Sequence, residues 1–166
     1  LKAHAHRADD IFTSIRIAKE FNVKLTLEHC TEGHLIADDL AKEGYPAIVG
    51  PTFGNKSKFE LQNKTFDTPK TLVEAGVKIA IMTDSPVIPL EHLSMCSALA
   101  YKAGLDEMEA LKAITINPAE ILGINDRVGS IEVGKDADLV IWDKHPFDLQ
   151  ANVEYTIIDG KIVYKK

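Results

Sequence analysis

The chain has 166 residues, of which 45% are hydrophobic and 27% are charged, and its formal net charge is -6 at pH 7. This balance suits one ordinary globular domain, or one domain with a small annex, and the length allows a substantial buried core. An acidic chain with no cluster of Lys and Arg among aromatic residues is not expected to bind nucleic acid. The apolar runs are too short to cross a bilayer, so no membrane partner is expected.

The cysteines and the start of the chain bear on where the protein works. Cys30 and Cys96 form no CxxC pair, so the sequence predicts neither a disulfide framework nor a cysteine zinc site, and a reducing cytoplasm is the expected location. The chain starts at Leu1 without a methionine or a signal-like segment, and the polar cluster HAHRADD follows almost at once. This start predicts a piece of a longer protein that begins inside an element.

The first part of the chain alternates strands with helices. The stretch RADDIFTSIRIAKEFN places Ile11, Ile15 and Ala18 on one stripe, which predicts a helix with acidic residues in its first turn. The alternation in VKLTLEHC predicts a strand that ends at His29. The stretch GHLIADDLAKEG predicts a second helix that closes at Gly44, before the short strand AIVG. This order predicts a parallel α/β architecture.

The next segment has no regular spacing of hydrophobic residues. Residues 51–67, PTFGNKSKFELQNKTFD, are unusually long for an unstructured connection, so they are predicted to form a loop over a pocket. Thr68 as the N-cap and Pro69 at the first helical position predict the start of another helix. That helix leads into the strand VKIAIMTD, which is predicted to end at Asp84 because Pro86 prevents its continuation.

The remaining helices and a β annex complete the organisation. A helical pattern runs over residues 91–103, and two capping-box spacings, Asp106 with Glu109 and Asn117 with Glu120, predict two more short helices.

Beyond these helices, Gly, Asp and Pro separate short strands such as Leu139 to Trp142. The pair Asp159-Gly160 predicts a hairpin turn. The change of texture predicts a boundary near residue 125, with an α/β part at residues 1–125 and a small β annex at residues 126–166.

Chemistry-bearing residues fall at the predicted strand ends. LKAHAH offers His4 and His6, TLEHC offers His29, and IAIMTD offers Asp84. In parallel α/β architectures the loops after the strands converge on one face. Two imidazoles and a carboxylate there are credible ligands for a divalent metal such as zinc. Each residue also has a structural interpretation, because a histidine at a strand end is commonly a capped surface or core residue and an Asp before Ser-Pro commonly forms a turn.

With these motifs, the chain resembles the amidohydrolase superfamily, specifically its imidazolonepropionase-like and metal-dependent peptidase-like branch. HAHRADDI resembles the fifth barrel strand, TLEHC the sixth and AIMTDSP the eighth. NPAEILGI followed by VGSIEVGKDADLVIWD resembles the exit into the small β domain. The resemblance implies the C-terminal half of a (β/α)8 TIM-type barrel with part of a small β-sandwich annex.

The resemblance also implies roles for individual residues. His4, His29 and Asp84 would be metal ligands, and Asp84 would also be the general base, because a carboxylate can hold a metal while it takes a proton from water. The implied cofactor is zinc, one or two ions in the intact enzyme. His6 and Arg7 would contact the substrate, although His6 could instead support the site from behind and Arg7 could be a solvated residue at the helix start.

The implied function is metal-dependent hydrolysis of an amide or other C-N bond in a small-molecule or peptide-like substrate, by a protein expected to be a homo-oligomer. The family's first-strand His-x-His pair and fourth-strand metal bridge are absent, so the chain is expected to hold part of the metal site. Two alternatives stay open, a non-catalytic α/β binding domain and a deaminase of the same superfamily. Imidazolonepropionases and these deaminases carry a Glu near the strand-five His, where this chain has Arg7, which weakens both of those substrate assignments.

Overall fold

The computed structural model describes residues 1–166. They separate into two units, Leu1–Ile114 and Thr115–Lys166. The first unit has a parallel sheet with helices between its strands, and the second has one helix and an antiparallel sheet. None of the helices combines the length and the apolar composition that crossing a bilayer requires.

The sheet of the first unit is parallel and follows the chain order. Its strands, in spatial order, are β1 (Lys2–Ala5), β2 (Thr26–His29), β3 (Ala47–Val49) and β4 (Ile79–Ile81). The helices between them are α1 (Ala8–Glu20), α2 (Ala37–Glu43) and α3 (Thr68–Glu74). Because all strands point the same way, their carboxyl ends share one edge, where the loops that carry His6, His29 and Asp84 meet.

The core of this unit consists of apolar side chains from both strands and helices. The largest fully buried ones are Ile11, Ile15, Leu27, Leu40, Val49, Leu72 and Ile79. Burying each such side chain stabilises the fold by about 1.5–3 kcal/mol. The predicted stripe of α1 is confirmed, since its buried residues are Ile11, Ile15 and Ala18. The predicted end of α2 is confirmed too, because Gly44 adopts a φ of 74° at the C-cap.

Two strands are shorter than predicted. β2 begins at Thr26, and Val23 before it is 39% exposed and belongs to no strand. β4 ends at Ile81, so Asp84 lies three residues beyond the strand in a turn, with a φ of 53°. The apolar pattern marks the buried positions correctly, but hydrogen bonding to a neighbouring strand decides where each strand stops.

The predicted cap at Thr68 is wrong by one residue. Asp67 is the N-cap of α3, and Thr68 is its first helical residue. The Thr68 hydroxyl lies 3.0 Å from Nδ1 of His34 instead of capping the helix. The Thr68 hydroxyl therefore contacts a residue distant in the sequence, whereas the local sequence predicted that it would cap the helix.

Two helices complete the first unit, α4 (Leu93–Lys102) and α5 (Glu107–Lys112). The predicted cap at Asp106 is confirmed, because its side chain accepts hydrogen bonds from the backbone N–H groups of Met108 and Glu109. The hydroxyl of Ser97 on α4 donates to the Ala110 carbonyl on α5 at 2.6 Å.

The second unit contains α6 and three antiparallel strands. They are α6 (Ile116–Leu122), β5 (Leu139–Trp142), β6 (Val153–Ile158) and β7 (Lys161–Lys165). The hairpin prediction is confirmed, because Asp159 and Gly160 between β6 and β7 have φ values of 50° and 72°. The predicted start of α6 at Asn117 is wrong, since Thr115 is the N-cap. The contacts divide the chain after Ile114, while the boundary near residue 125 stays a prediction about domains.

Candidate metal centre

Three histidines form a cluster at the carboxyl ends of β1 and β2. His4 lies in β1, His6 directly follows that strand, and His29 is the last residue of β2. Their ring centroids are 4.2 Å apart for His4 and His29, 4.5 Å for His6 and His29, and 4.8 Å for His4 and His6. Parallel pairing that sets Ala5 opposite His29 brings the two strand ends together.

His29 is held in a defined orientation by Gly50. Its Nδ1 lies 2.7 Å from the Gly50 carbonyl oxygen, which can only accept, so Nδ1 carries the proton and Nε2 keeps its lone pair in the neutral ring. Gly50 has a φ of 131°, and a Cβ there would lie 2.6 Å from the Met82 carbonyl oxygen. Only glycine allows this approach. Burial lowers the pKa of His29, and the hydrogen bond to Gly50 partly opposes that shift.

His6 is 6% exposed and has a polar neighbour at each ring nitrogen. Its Nδ1 lies 2.7 Å from the Thr31 hydroxyl oxygen, and its Nε2 lies 3.7 Å from a Glu60 carboxylate oxygen. Burial, followed by the charge of His29, lowers the pKa of His6 to about 4. The ring is therefore neutral near pH 7, which is the form that binds a metal or exchanges a hydrogen bond with a substrate.

Asp84 shares one cavity with the three histidines. The cavity has a volume of about 400 Å³, and His4, His6, His29 and Asp84 all line it. The Asp84 carboxylate is exposed and sits in the turn after β4. The predicted convergence of His4, His29 and Asp84 on one face is thus confirmed, because all three line this cavity.

The donors of the cluster fit a divalent cation. The ligand atoms of His4, His6 and His29 all lie within 4.8 Å of one another. The ligand nitrogens of a tetrahedral zinc ion with Zn–N bonds of about 2.0–2.1 Å lie about 3.4 Å apart, a spacing within the 4.8 Å limit that holds for these atoms. His6 belongs to the cluster itself. The signal in the sequence was its spacing of two residues from His4, because residues two apart on a strand face the same side.

Residues 51–67 cover this cavity, as predicted. The segment contains one short 3-10 helix, Phe59–Leu61. Its residues that line the cavity are Pro51, Phe53, Gly54, Asn55, Ser57, Lys58, Leu61 and Lys64. These residues, 51–67, form the covering loop.

Arg7 lies beside the cavity and does not line it. Its Nε is 3.0 Å from an Asp9 carboxylate oxygen, and its guanidinium carbon lies 5.6 Å from the centre of the Phe59 ring. The guanidinium is thus engaged by an acid of α1 and an aromatic ring of the covering loop.

Glu32 is the structural residue that sequence reasoning missed. It is 6% exposed, and its carboxylate accepts from the Ala8 N–H at 2.8 Å and from the Asn63 side-chain amide at 2.9 Å. Its own N–H donates to the His6 carbonyl at 2.9 Å. Glu32 therefore joins the turn after β1 to the covering loop. Nothing in the local sequence CTEG separates it from an ordinary exposed acid.

His34 and Cys30, near the cluster in the sequence, have structural positions. The Nδ1 atom of His34 lies 3.0 Å from the Thr68 hydroxyl oxygen and 3.2 Å from the Thr31 carbonyl oxygen. Cys30 is fully buried, and burial raises the pKa of its thiol to about 12, so it is no thiolate ligand near pH 7.

The histidine cluster and a carboxylate share one cavity at the carboxyl edge of a parallel α/β sheet. These features define the class of the protein: an α/β domain with a site that suits a divalent metal. The chain belongs to the amidohydrolase family, whose model matches residues 2–163. Members of this superfamily are generally metal-dependent, in agreement with the histidine cluster.

Three relatives illustrate the similarity. A crystal structure of an amidohydrolase from Thermotoga maritima MSB8 is 50% identical with a TM-score of 0.96, covering 99% of this chain and 43% of that chain. An imidazolonepropionase from Treponema denticola is 35% identical over 136 residues, 76% of this chain and 32% of that protein. A crystal structure of a Xaa-Pro dipeptidase with bound methionine in the active site is 28% identical with a TM-score of 0.77, covering 99% of this chain and 44% of that one. The chain thus spans less than half the length of each.

Proposed function

We propose that the protein carrying this chain is a metal-dependent amidohydrolase that cleaves an amide or other C-N bond of a small-molecule or peptide-like substrate. The observation that carries the proposal is the cavity shared by His4, His6, His29 and Asp84. Membership of the amidohydrolase family supports it. Relatives named imidazolonepropionase and Xaa-Pro dipeptidase support small amides or peptides as substrates.

The proposed architecture is the C-terminal half of a (β/α)8 barrel with part of a small β-sandwich. Four parallel strands in chain order, with a helix after each, are consistent with half of such a barrel. Residues 1–125 would be the barrel part and residues 126–166 part of the sandwich. Coverage of 43% of the Thermotoga protein fits a half barrel in this chain.

His4, His29 and Asp84 are the proposed metal ligands, for one or two zinc ions. When bound, zinc would act as a Lewis acid toward the carbonyl and lower the pKa of water toward neutrality. His29 is prepared for this role, because Gly50 fixes the proton on Nδ1 and leaves Nε2 with a lone pair. His6 is the proposed substrate contact in the cavity, while Arg7 would contact a substrate only by leaving Asp9 and Phe59.

Asp84 is the proposed general base. Its exposed carboxylate lines the cavity, where it can accept a proton from the attacking water as the water oxygen bonds to the carbonyl carbon. The same group can then protonate the leaving nitrogen as the C-N bond breaks. The turn after β4 holds Asp84 with a φ of 53°, outside the strand and toward the shared edge.

Asp84→Asn in the full-length protein is expected to abolish hydrolysis without unfolding the protein. The amide has nearly the size of the carboxylate, but it accepts no proton from water and binds metal more weakly. Turnover should be measured on dipeptides, N-acetylated amino acids and cyclic amides, together with metal content and circular dichroism. Asp38→Asn is the matched control, because it removes an exposed carboxylate outside the cavity lining.

Activity of Asp84→Asn within about tenfold of wild type, roughly 1.4 kcal/mol in barrier height, would show that Asp84 is not the base. A wild-type protein that turns over none of these substrates and holds no stoichiometric metal would instead favour the non-catalytic binding domain.

The remaining proposals concern the cellular compartment and the binding partners of the protein. Both cysteines are free and buried, which supports a reducing compartment such as the cytoplasm. The partners would be the small substrate and further copies of the same protein.

A further inference from the structure

The covering loop carries an unusual charge for this acidic chain. Lys56, Lys58 and Lys64 lie within nine residues of one another, whereas the whole chain has a net charge of -6. Lys58 and Lys64 line the cavity that contains the histidine cluster, and Lys56 does not. Apart from Asp84, no acidic residue lines that cavity. The covering loop thus faces the cavity with cations.

Of the two lysines that line the cavity, Lys64 is the one without an acidic partner. The Lys58 ammonium lies 3.5 Å from a Glu60 carboxylate oxygen. The Lys64 ammonium is half-buried and donates to the Asn55 carbonyl at 2.7 Å, with no carboxylate within 4.0 Å. Burial, followed by the charge of Lys56, lowers its pKa. An ammonium has three donors, so two remain for a ligand.

The rest of the cavity suggests how a substrate would lie in it. The histidines and Asp84 supply the reacting end under the proposed function, and Phe53, Leu61, Val87 and Ile88 supply apolar lining. The other two cations near the site have partners: Arg7 is engaged by Asp9 and Phe59, and Lys58 by Glu60. Lys64 is therefore the cation best placed to meet a negative group on a bound molecule.

We propose that Lys64 binds a carboxylate of the substrate, which makes the substrate class small amides with a free carboxylate and an apolar side chain, such as N-acylated amino acids or dipeptides. A carboxylate would complete the hydrogen bonding of the ammonium and offset the loss of its hydration. This inference rests on the proposed function, since it assumes that the scissile bond lies at the histidine end.

The chain offers a matched pair of variants for the test. Lys64→Met and Lys56→Met each remove an ammonium that donates to a backbone carbonyl within the covering loop, at 2.7 Å and 2.8 Å respectively. Only the first alters the cavity lining. Loss of a local loop contact should therefore affect both variants, whereas loss of a ligand contact should affect Lys64→Met alone.

Binding can be measured by isothermal titration calorimetry with N-acetyl-L-leucine and its neutral amide, on full-length, metal-loaded protein whose metal content is checked. Wild type and Lys56→Met are expected to bind the carboxylate form about tenfold to a hundredfold more tightly than the amide form. Lys64→Met should lose this preference, and Lys64→Arg should retain most of it.

Three results would overturn the proposal: a preference that survives in Lys64→Met, equal weakening of both ligands in Lys56→Met and Lys64→Met, or a wild-type protein without the preference. Because the measurement reads binding, it separates this inference from the proposed function. If the protein binds the carboxylate ligand preferentially but hydrolyses none of the substrates, the proposed hydrolase function is rejected and the proposed carboxylate site is retained.

Discussion

Single residues at the site adopt backbone conformations that side-chain-bearing amino acids rarely occupy. His29, Cys30 and Asp84 have φ values of 70°, 48° and 53°, and all three follow or end strands of the parallel sheet. Such residues cost about 1–3 kcal/mol each and persist only where the surrounding structure holds them. At this site the backbone turns sharply just where the proposed ligands leave the sheet, so their direction is set by the backbone as well as by rotamers.

Gly50→Ala is expected to destabilise the fold and release His29 from its orientation. The new Cβ would lie 2.6 Å from the Met82 carbonyl oxygen at a φ of 131°, so the strands must separate and the Gly50 carbonyl must move away from His29. We expect a loss of roughly 2 kcal/mol or more in the free energy of unfolding, with reduced metal content. Urea denaturation and metal analysis of the full-length protein measure these two effects.

Gly44→Ala is the control for the Gly50 substitution. Gly44 also has a positive φ, 74°, but a Cβ there meets nothing within 4 Å. Its cost should be limited to the left-handed conformation, about 1–2 kcal/mol, with metal content unchanged. Equal effects of the two substitutions on metal content would mean that the contact between Gly50 and His29 does not position the imidazole.

Elements meet at the site through the covering loop. It contacts the turn after β1 at two places, Glu60 with His6 and Phe59 with Arg7. A third contact joins Asn63 to Glu32, which lies in the loop after β2. The buried carboxylate of Glu32 also accepts the first N–H of α1, at Ala8. The covering loop is therefore held to the same turn that positions His6, so the position of the loop and that of the histidine cluster are structurally linked.

Asn63→Ala is expected to loosen the covering loop while leaving the sheet intact. The substitution removes the hydrogen bond to Glu32, a bond to an ionised group that we expect to contribute about 1.5–3 kcal/mol. Hydrogen exchange of residues 51–67 should therefore accelerate by about tenfold or more, with exchange in β2 and β3 unchanged. Mass spectrometry resolves these segments.

Gln62→Ala serves as the matched control, because Gln62 is the exposed neighbouring amide and its hydrogen bonds are made by its backbone. Its N–H donates to the Phe59 carbonyl, and its carbonyl accepts from the Lys56 ammonium. If exchange of the covering loop rises equally in both variants, Asn63 is not its anchor. A uniform rise across the sheet would indicate global destabilisation instead.

For the molecule as a whole, the open sheet predicts behaviour in solution. β1 and β4 form its two edges. The outer side of β4 is partly occupied, because the Ile81 N–H donates to the Ala113 carbonyl. The carbonyls of Leu1 and Ala5 accept hydrogen bonds from N–H groups in β2 and directly after it. Since residues of a parallel strand alternate in the side to which they hydrogen-bond, the N–H and C=O groups of Lys2 and His4 point away from β2. β1 is thus the edge available to another strand.

The 166-residue chain purified by itself is expected to self-associate through β1 and to lack hydrolytic activity, because it spans less than half the length of its relatives and, under the proposed architecture, forms only half of a barrel. Multi-angle light scattering at concentrations of about 10–100 μM should give a mass above that of one chain. Lys2→Pro removes an outward N–H without touching the bonds to β2, so it should lower the measured mass. A stable wild-type monomer, or one that binds zinc tightly and cleaves amides, would contradict this prediction.

Elements whose signals are local could be predicted from the amino-acid sequence. The apolar stripe of α1, the stop at Gly44, the cap at Asp106 and the Asp159-Gly160 turn all depend on residues within a few positions of one another, and all agree with the structure. The order of strands and helices also fixed a parallel sheet. That sheet brings His4, His29 and Asp84 to one edge, so their convergence could be predicted.

Features that depend on residues far apart in the chain could not be predicted from the sequence. Thr68 was expected to cap a helix, but its hydroxyl faces His34, 34 positions away. The roles of Glu32, Gly50 and Lys64 depend on which loops meet over the cavity. The spacing of residues in the sequence does not predict which loops meet. The physical reason is that hydrogen bonds, close contacts and desolvation act over a few ångströms in space, whereas a sequence pattern records only neighbours along the chain.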